Sequence, residues 1–556
     1  MPGFVFLAVF LGNAAFWHSP ALGLVSALFA LVFFGAQAGR FFSPDDTPEV
    51  RWWLGAWMLL SAVSLLGTAA YYAHSYPAWV AWALGLLLAP AAYVLQKKSR
   101  PDAARHDLWH EAPHRLPPWV LAGASAALLA LAFTFRALVG SATTLAVASP
   151  WSVVPDAAFA GMALAAAALS ALWSRGRERM LSTLLACAAL FAFLSVNWAV
   201  FPIGAGFDPF IHQATERRIA DTGTITPKPL YYVGQYALVL FLHHGFAIPV
   251  ETADRYLLPL LTALLLPFSW LSATLHASKK DPRFAPTSLF LLFLLPLGGF
   301  ATTTPQGLAN LWILLLVLAA VPFLSGNERP HPGLLVLPTL ATLAIHPLAG
   351  IPALLWCAYL LTDKTLAPKR FETVARALRI ATVAGGSLLL PLAFVFFAWK
   401  GGTSAFDTAG AWERVRALFP APPTVGAPYR TWLDFAVYAG YLAGAAFLAL
   451  AAWGWPKAPV RLRAACVTFF LILLGNYVLL GTVFDFSFLI EYERLNYAAR
   501  LPPLMLFALA PLAVHGLLRK REALSKAPRP VRWFAALAGA ALIPALWYAA
   551  YPRDDA

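Results

Sequence analysis

The stretch Tyr256-Leu-Leu-Pro-Leu-Leu-Thr-Ala-Leu-Leu-Leu-Pro-Phe-Ser-Trp-Leu-Ser-Ala-Thr-Leu275 carries no charged side chain. A helix of that length spans the ~30 Å hydrocarbon core of a bilayer. Its prolines, Pro259 and Pro267, free backbone carbonyls that neighbouring elements have to satisfy. Similar runs recur along the whole chain. At about 20 mostly apolar residues per crossing, the expected spans are 2–17, 20–39, 52–72, 76–96, 118–138, 153–173 and 181–199, then, after a long polar loop, 254–275, 285–300, 306–324, 332–346, 347–363, 380–399, 431–453, 464–483, 501–518 and 533–551. The pair 332–346 and 347–363 also fits one hairpin that does not fully cross. The expected fold is an all-α integral membrane protein, a polytopic bundle of roughly 15–17 transmembrane helices.

Composition agrees. The 556 residues are 60% apolar and 12% charged, against about 45–50% and about 25% in soluble proteins. These figures exclude a soluble enzyme, a disordered chain and a peripheral amphipathic protein. The net charge of +14 fits a positive-inside bias and anionic membrane lipids. It does not point to nucleic acid, because no basic cluster is interleaved with exposed aromatics. Cys187, Cys357 and Cys466 each lie in an apolar run, so neither a disulfide framework nor a metal cluster is expected. Met1-Pro2-Gly3-Phe4 lacks a basic n-region and reads as the start of a retained first span.

Charge placement orients the bundle. With the loops 40–51, 97–117, 174–180, 276–284, 325–331, 364–379, 455–463 and 519–532 on the cytoplasmic side, about 28 of the 40 Lys and Arg fall inside. The loops 200–253, 400–430 and 484–500 then lie outside. A multi-pass protein of the plasma (inner) membrane is expected.

The loop 200–253 is the longest polar interruption. Asp208-Pro209 is a helix start, a carboxylate N-cap with proline at the first helical position. Gly223 is a helix stop. Between them Asp208, His212 and Glu216 recur every four residues and share one face. Arg217, Arg218 and Lys228 add positive charge. The segment from Tyr232 to Val250 is mostly apolar and is expected to form a helix along the outer membrane surface.

This loop resembles a known family. Gly206-Phe207-Asp208-Pro209-Phe210 is similar to the acidic Asp-Pro-aromatic motif of oligosaccharyltransferase catalytic subunits. Ala220-Asp-Thr-Gly223-Thr-Ile-Thr-Pro227-Lys228-Pro229-Leu230-Tyr231-Tyr232 resembles the loop of protein O-mannosyltransferases and aminoarabinose transferases. There a surface helix and an Ala-x-Arg entry to the next span follow, here Ala253-Asp254-Arg255. All these belong to the GT-C superfamily of polytopic glycosyltransferases. The resemblance implies a GT-C-like catalytic core over 181–556, with its active site on the extracytoplasmic face. It leaves 1–180 as an N-terminal transmembrane module of unknown role. It also implies a polyprenyl-phosphate sugar donor, an inverting reaction and Asp208 as general base.

The residues themselves provide the parts for such chemistry. A fixed carboxylate takes the proton of an attacking hydroxyl, and cations receive the departing phosphate. The candidate catalytic residues are Asp208 and Glu216. The candidate substrate-binding residues are His212, Arg217, Arg218, Lys228, Tyr231, Tyr232, His346, Arg494 and Arg500. No cofactor is expected and no metal site is assigned, although the Asp208/His212/Glu216 stripe has ligand types that a divalent metal accepts. Membrane lipids and the donor are the expected partners; the sequence names no acceptor. The competing reading is a transporter or flippase of lipid-linked or small polar substrates. It would call for ionisable groups at mid-span and paired broken helices. Here the ionisable groups gather in one outer loop.

Overall fold

The computed structural model describes residues 2–44, 46–99, 116–147, 149–175, 178–229, 231–278, 285–326, 331–365, 372–400, 411–417, 436–483, 498–525 and 529–551. Every regular element among them is helical. Ten of these helices are long and apolar enough to cross a membrane, and six shorter apolar helices accompany them. The fold is that of a multi-pass α-helical membrane protein.

Eight helices bear on the loop 200–253. They are α1 (Pro20–Phe42), α2 (Pro48–Ala73), α3 (Asp208–Thr222), α4 (Val233–Leu240), α5 (Val250–Ala277), α6 (Pro305–Ala319), α7 (Gly333–Ile345) and α8 (Pro347–Thr365). The helices α5 and α6 are buried over most of their length and form the centre of the bundle. Around them, α2 packs on α1, α4, α5 and α7. The first 180 residues share one apolar core with the rest, running from Phe6 to Tyr551. Polar contacts cross the expected module boundary. Trp312 Nε1 donates to Ser61 Oγ at 2.9 Å, and Ser64 Oγ donates to the Gly234 carbonyl at 2.9 Å. Asn476 links helices in the way expected of an amide inside a span: its Nδ2 donates to the Gly386 carbonyl at 2.8 Å.

Two expectations need correction. The segment after Tyr232 does not lie on a surface. All eight residues of α4 are buried, and Tyr76 OH donates to its Ala237 carbonyl at 3.2 Å. Its polar side chains, Gln235 and Tyr236, bond to other helices and not to water, and at ~1.5 Å per residue α4 is far too short to cross a bilayer. It is therefore enclosed by the bundle. The second correction concerns 285–300. That stretch is not one span but three short helical turns, Ala285–Ser288, Leu289–Leu294 and Leu297–Phe300. Pro296 holds Leu295 in extended backbone, and Gly298-Gly299 follows. The polar residues at its start are drawn to other helices: Thr287 Oγ1 donates to the Trp173 carbonyl at 2.8 Å, and Ser288 meets Thr274 at 2.9 Å.

The short pair α7 and α8 packs against itself as a hairpin. Its break falls at His346, which is extended (φ −156°), because the residue before Pro347 is excluded from the helical region.

The contact of α1 with α2 is made by small residues. A Cβ on Gly55 would stand 1.9 Å from the Gly35 carbonyl oxygen, whereas one on Gly140 meets nothing within 4 Å. Gly55→Leu is therefore expected to push the two helices apart and destabilise the protein by at least about 1–3 kcal/mol. Gly140→Ala should leave the thermal midpoint in detergent within a degree or two of the parent.

Candidate functional site

The stop of α3 follows the local rule: it closes on Gly223 in the left-handed region, φ 76°. Its start falls one residue before the expected one. Phe207, not Asp208, is the N-cap and makes no side-chain cap bond, so Asp208 and Pro209 both lie in the first turn, where the carboxylate still suits the helix dipole. The stripe of Asp208, His212 and Glu216 runs from rim to core. The first two are half-buried; Glu216 and the next inward residue, Ile219, have no exposed surface.

The buried α4 stands opposite that stripe. The Tyr236 hydroxyl and His212 Nδ1 are 2.8 Å apart. Gln235 Nε2 donates to Glu216 Oε1 at 3.1 Å and to Asp254 Oδ1 at 3.3 Å. Glu216, Gln235 and Asp254 are all buried. Burial, then the neighbouring Asp254 charge, push the Glu216 carboxyl well above the usual carboxylate range. Burial pushes His212 down to about 4, with the Asp208 charge opposing and the Arg500 cation adding to the shift. His212 is thus a neutral ring at ordinary pH.

A second group meets His212 from the other side. The Tyr232 ring centre lies 5.1 Å from that of His212, 4.6 Å from Tyr231 and 5.2 Å from His346. Tyr232 itself is held in the left-handed region, φ 77°, a strained conformation for a bulky residue. His346 Nδ1 accepts the Leu348 N–H at 3.1 Å. Arg500 acts electrostatically on both His212 and His346. The fold therefore gathers Asp208, His212, Tyr231, Tyr232, His346 and Arg500 from distant parts of the sequence. Arg494 lies outside the described residues.

The other cations behave differently. Arg217 pairs with Glu251 on α5 at 3.0 Å, an exposed pair of small energetic value. Arg218 is exposed. Lys228 Nζ donates to the carbonyls of Tyr71, Tyr72 and His74 at 2.9, 3.4 and 2.8 Å and sits 5.3 Å from the Tyr71 ring centre. An ammonium has three donors, and all three are engaged with the carbonyl end of α2, where the helix dipole also favours a cation. The segment after α3 is tied to the same place: the Tyr76 N–H donates to the Gly223 carbonyl at 2.7 Å, and Tyr72 OH to that of Pro229 at 2.7 Å.

Sequence reading missed two features. One is a narrow cleft of about 40 Å³ lined by Asn197, Pro209, Gln213, Asp254, Arg255 and Thr303, among others. It has room for a few water-sized groups and not for a hexose. Asp254 and Arg255 are its charged residues. Their signal was a carboxylate and a cation in the first turn and a half of a crossing helix, a costly place for both. The other feature is an apolar groove of about 550 Å³. It follows α5 from Thr252 to Leu264, with α1 (Leu24, Leu31), α2 (Leu60) and the π-helical turn after α4 (Phe241) as its walls. Cleft and groove lie on opposite faces of the head of α5: Ala253 and Tyr256 line the groove, Asp254 and Arg255 the cleft. Between them the rings of Tyr256 and Trp198 pack edge to face at 4.9 Å.

Among the described residues no three His, Cys, Asp or Glu side chains are grouped so as to hold a metal ion. Compared with known proteins, the chain matches no family model, no curated protein and no solved structure.

Two outcomes follow from this geometry. Lys228→Met removes three charge-assisted bonds and is expected to lower stability by about 1–3 kcal/mol; Arg218→Met should stay within about 0.5 kcal/mol. Thermal unfolding in one detergent measures both. An unfolded histidine titrates near 6.5, so between that value and about 4 the unfolded chain binds more protons than the native one. The contribution of His212 to stability is then complete above pH 6.5 and is lost as the pH falls toward 4. Histidine-selective NMR should find its ring still neutral at pH 5.5.

Proposed function

We propose that this protein is a membrane glycosyltransferase that moves a sugar from a polyprenyl-phosphate donor to an acceptor on the extracytoplasmic face, with Asp208 as general base. The observation that carries this reading is the apolar groove along α5, on a helix whose head also bears Asp254 and Arg255 toward the small cleft. A polyprenyl-phosphate sugar is an apolar chain joined to an anionic, polar head. It needs a trough of low polarity and, at the end of that trough, positive charge.

The groove meets the first need. From Thr252 to Leu264 it follows α5 for about 18 Å at ~1.5 Å per residue. Apart from Thr252 and the Tyr256 hydroxyl its lining is apolar. Arg255 lines the cleft on the other face of the same helix head, and Arg500 acts electrostatically on His212 and His346. A guanidinium suits a departing phosphate because it offers paired donors and keeps its charge. The cleft is too small for a hexose, so the sugar stands at its rim, on the side of Asp208, His212 and Tyr231.

The reaction then needs one proton transfer. The acceptor hydroxyl attacks the anomeric carbon and gives its proton to the Asp208 carboxylate. The bond from that carbon to the phosphate oxygen breaks, and its electron pair leaves with the phosphate toward the arginines. The neutral His212 ring offers a hydrogen bond without adding a second positive charge.

The test is sugar transfer in membranes given a panel of radiolabelled polyprenyl-phosphate sugars, native chain against Asp208→Asn. A lost general base costs about 10²–10⁴-fold. A fall of at least about 100-fold, with donor binding kept, is the expected result. Equal transfer by both proteins would remove Asp208 from the base role. Movement of the intact donor across the membrane without transfer would favour the flippase reading instead.

A further inference from the structure

The geometry points to Glu216 and Asp254 as a proton-sharing carboxyl pair, bridged by Gln235, that docks α3 onto the head of α5 and so sets the position of Asp208. Both carboxyl groups are buried, and one amide nitrogen donates to each. Glu216 comes from α3, Gln235 from α4 and Asp254 from α5, so the pair joins three elements at one point.

Charge decides its state. Two ionised carboxylates side by side repel each other, and burial leaves each a desolvation cost that one amide cannot meet. Among the described residues no protein group donates to Glu216 Oε2, so the protein supplies no second donor for a negative charge on Glu216. One positive charge has to enter. Gln235 turns its NH₂ to both acids, which suits a monoanionic pair holding a proton between its members. A cation would call for the amide oxygen there instead.

The charged and titratable groups around the pair do not replace that proton. On α3 these are His212, held neutral, and Arg217, which is engaged with Glu251 of α5. On and beside α4 they are Tyr232 and Tyr236, the latter bonded to His212. On α5, Arg255 lines the same cleft as Asp254 and acts on it, so it offsets the single negative charge that the proton-sharing pair keeps. Arg500 acts on His212 and His346.

The pH dependence has a definite sign. The native pair holds its proton at pH values where an unfolded glutamate, near 4.3, has lost it. The docking energy is complete below that value and declines as the pH rises until the shared proton leaves. Glu216 lies two turns beyond Asp208 on the same face of α3, so loosening at Glu216 moves the proposed base. Glu216 is thus a positioning residue. The consequence for transfer rests on the proposed glycosyltransferase; the shared proton does not.

The test uses the full chain in detergent or nanodiscs. Hydrogen exchange of residues 208–222, corrected for the intrinsic rate at each pH, is compared between the native protein, Glu216→Gln and Asp254→Asn. Native protection is expected to fall with rising pH. Either amide variant removes the shared proton while keeping shape, and should show a flat response. Both should also lose the infrared band of a protonated carboxyl group that the native protein shows at neutral pH. An unchanged pH response in both variants overturns the pair. So does stabilisation of the native protein, but not of Glu216→Gln, by Na⁺ or Mg²⁺, which would make it a cation site. If transfer is found, its alkaline limb should shift in the folded variant. Absence of transfer from the native chain with every donor counts against the enzyme and leaves the exchange result standing.

Discussion

Helix α4 has protein on every side, and its position governs the rest of the candidate site. Where no water is present, backbone and side-chain polar groups must find partners within the protein. The carbonyls of Gly234 and Ala237 find them in Ser64 and Tyr76. The side chains of Gln235 and Tyr236 find them in Glu216, Asp254 and His212. These bonds fix α3 against α5, and with it the stripe that begins at Asp208. Remove α4 from the interior and the acids, the histidine and the cleft lose their common frame.

The head of α5 divides two environments along one helix. Residues at helical spacing from Thr252 to Leu264 face the apolar groove, while Asp254 and Arg255 face the cleft. Pro259 has no N–H, so the carbonyl four residues earlier, that of Arg255, has no bond within the helix. One residue before that proline, the Leu258 N–H turns to Thr303 Oγ1 at 3.2 Å. Thr303 also lines the cleft. The departure from regular helix thus falls at the helix head that lines the cleft on one face and the groove on the other, a place where irregular backbone is tolerated because protein surrounds it.

Several cations that look alike in the sequence serve different ends. Lys228 holds the end of α2 and Arg217 a surface pair with Glu251, whereas Arg500 acts electrostatically on the histidines and Arg255 lines the cleft. Their proximity in sequence to Asp208 is no guide. Lys228 and Arg217 are near it in the chain and engaged elsewhere; Arg500 is far along the chain and acts on the same stripe. A charged side chain is committed by what lies within its reach, and that is a property of the packing.

The sequence by itself determined the class of fold, because long uncharged runs leave few alternatives to membrane helices. It also determined the end of α3 at Gly223, and its start to within one residue, because Pro209 and Gly223 act through their own backbone, and the face shared by Asp208, His212 and Glu216, because helical spacing alone sets it. Only the tertiary structure decided that α4 is interior, that Glu216 meets Asp254 through Gln235, and that Tyr232 lies between His212 and His346. An apolar run is equally compatible with a membrane surface and with a protein interior. A polar residue within it does not announce its partner. Both are settled by contacts between residues distant in sequence, where the cost of an unmatched buried group selects one arrangement.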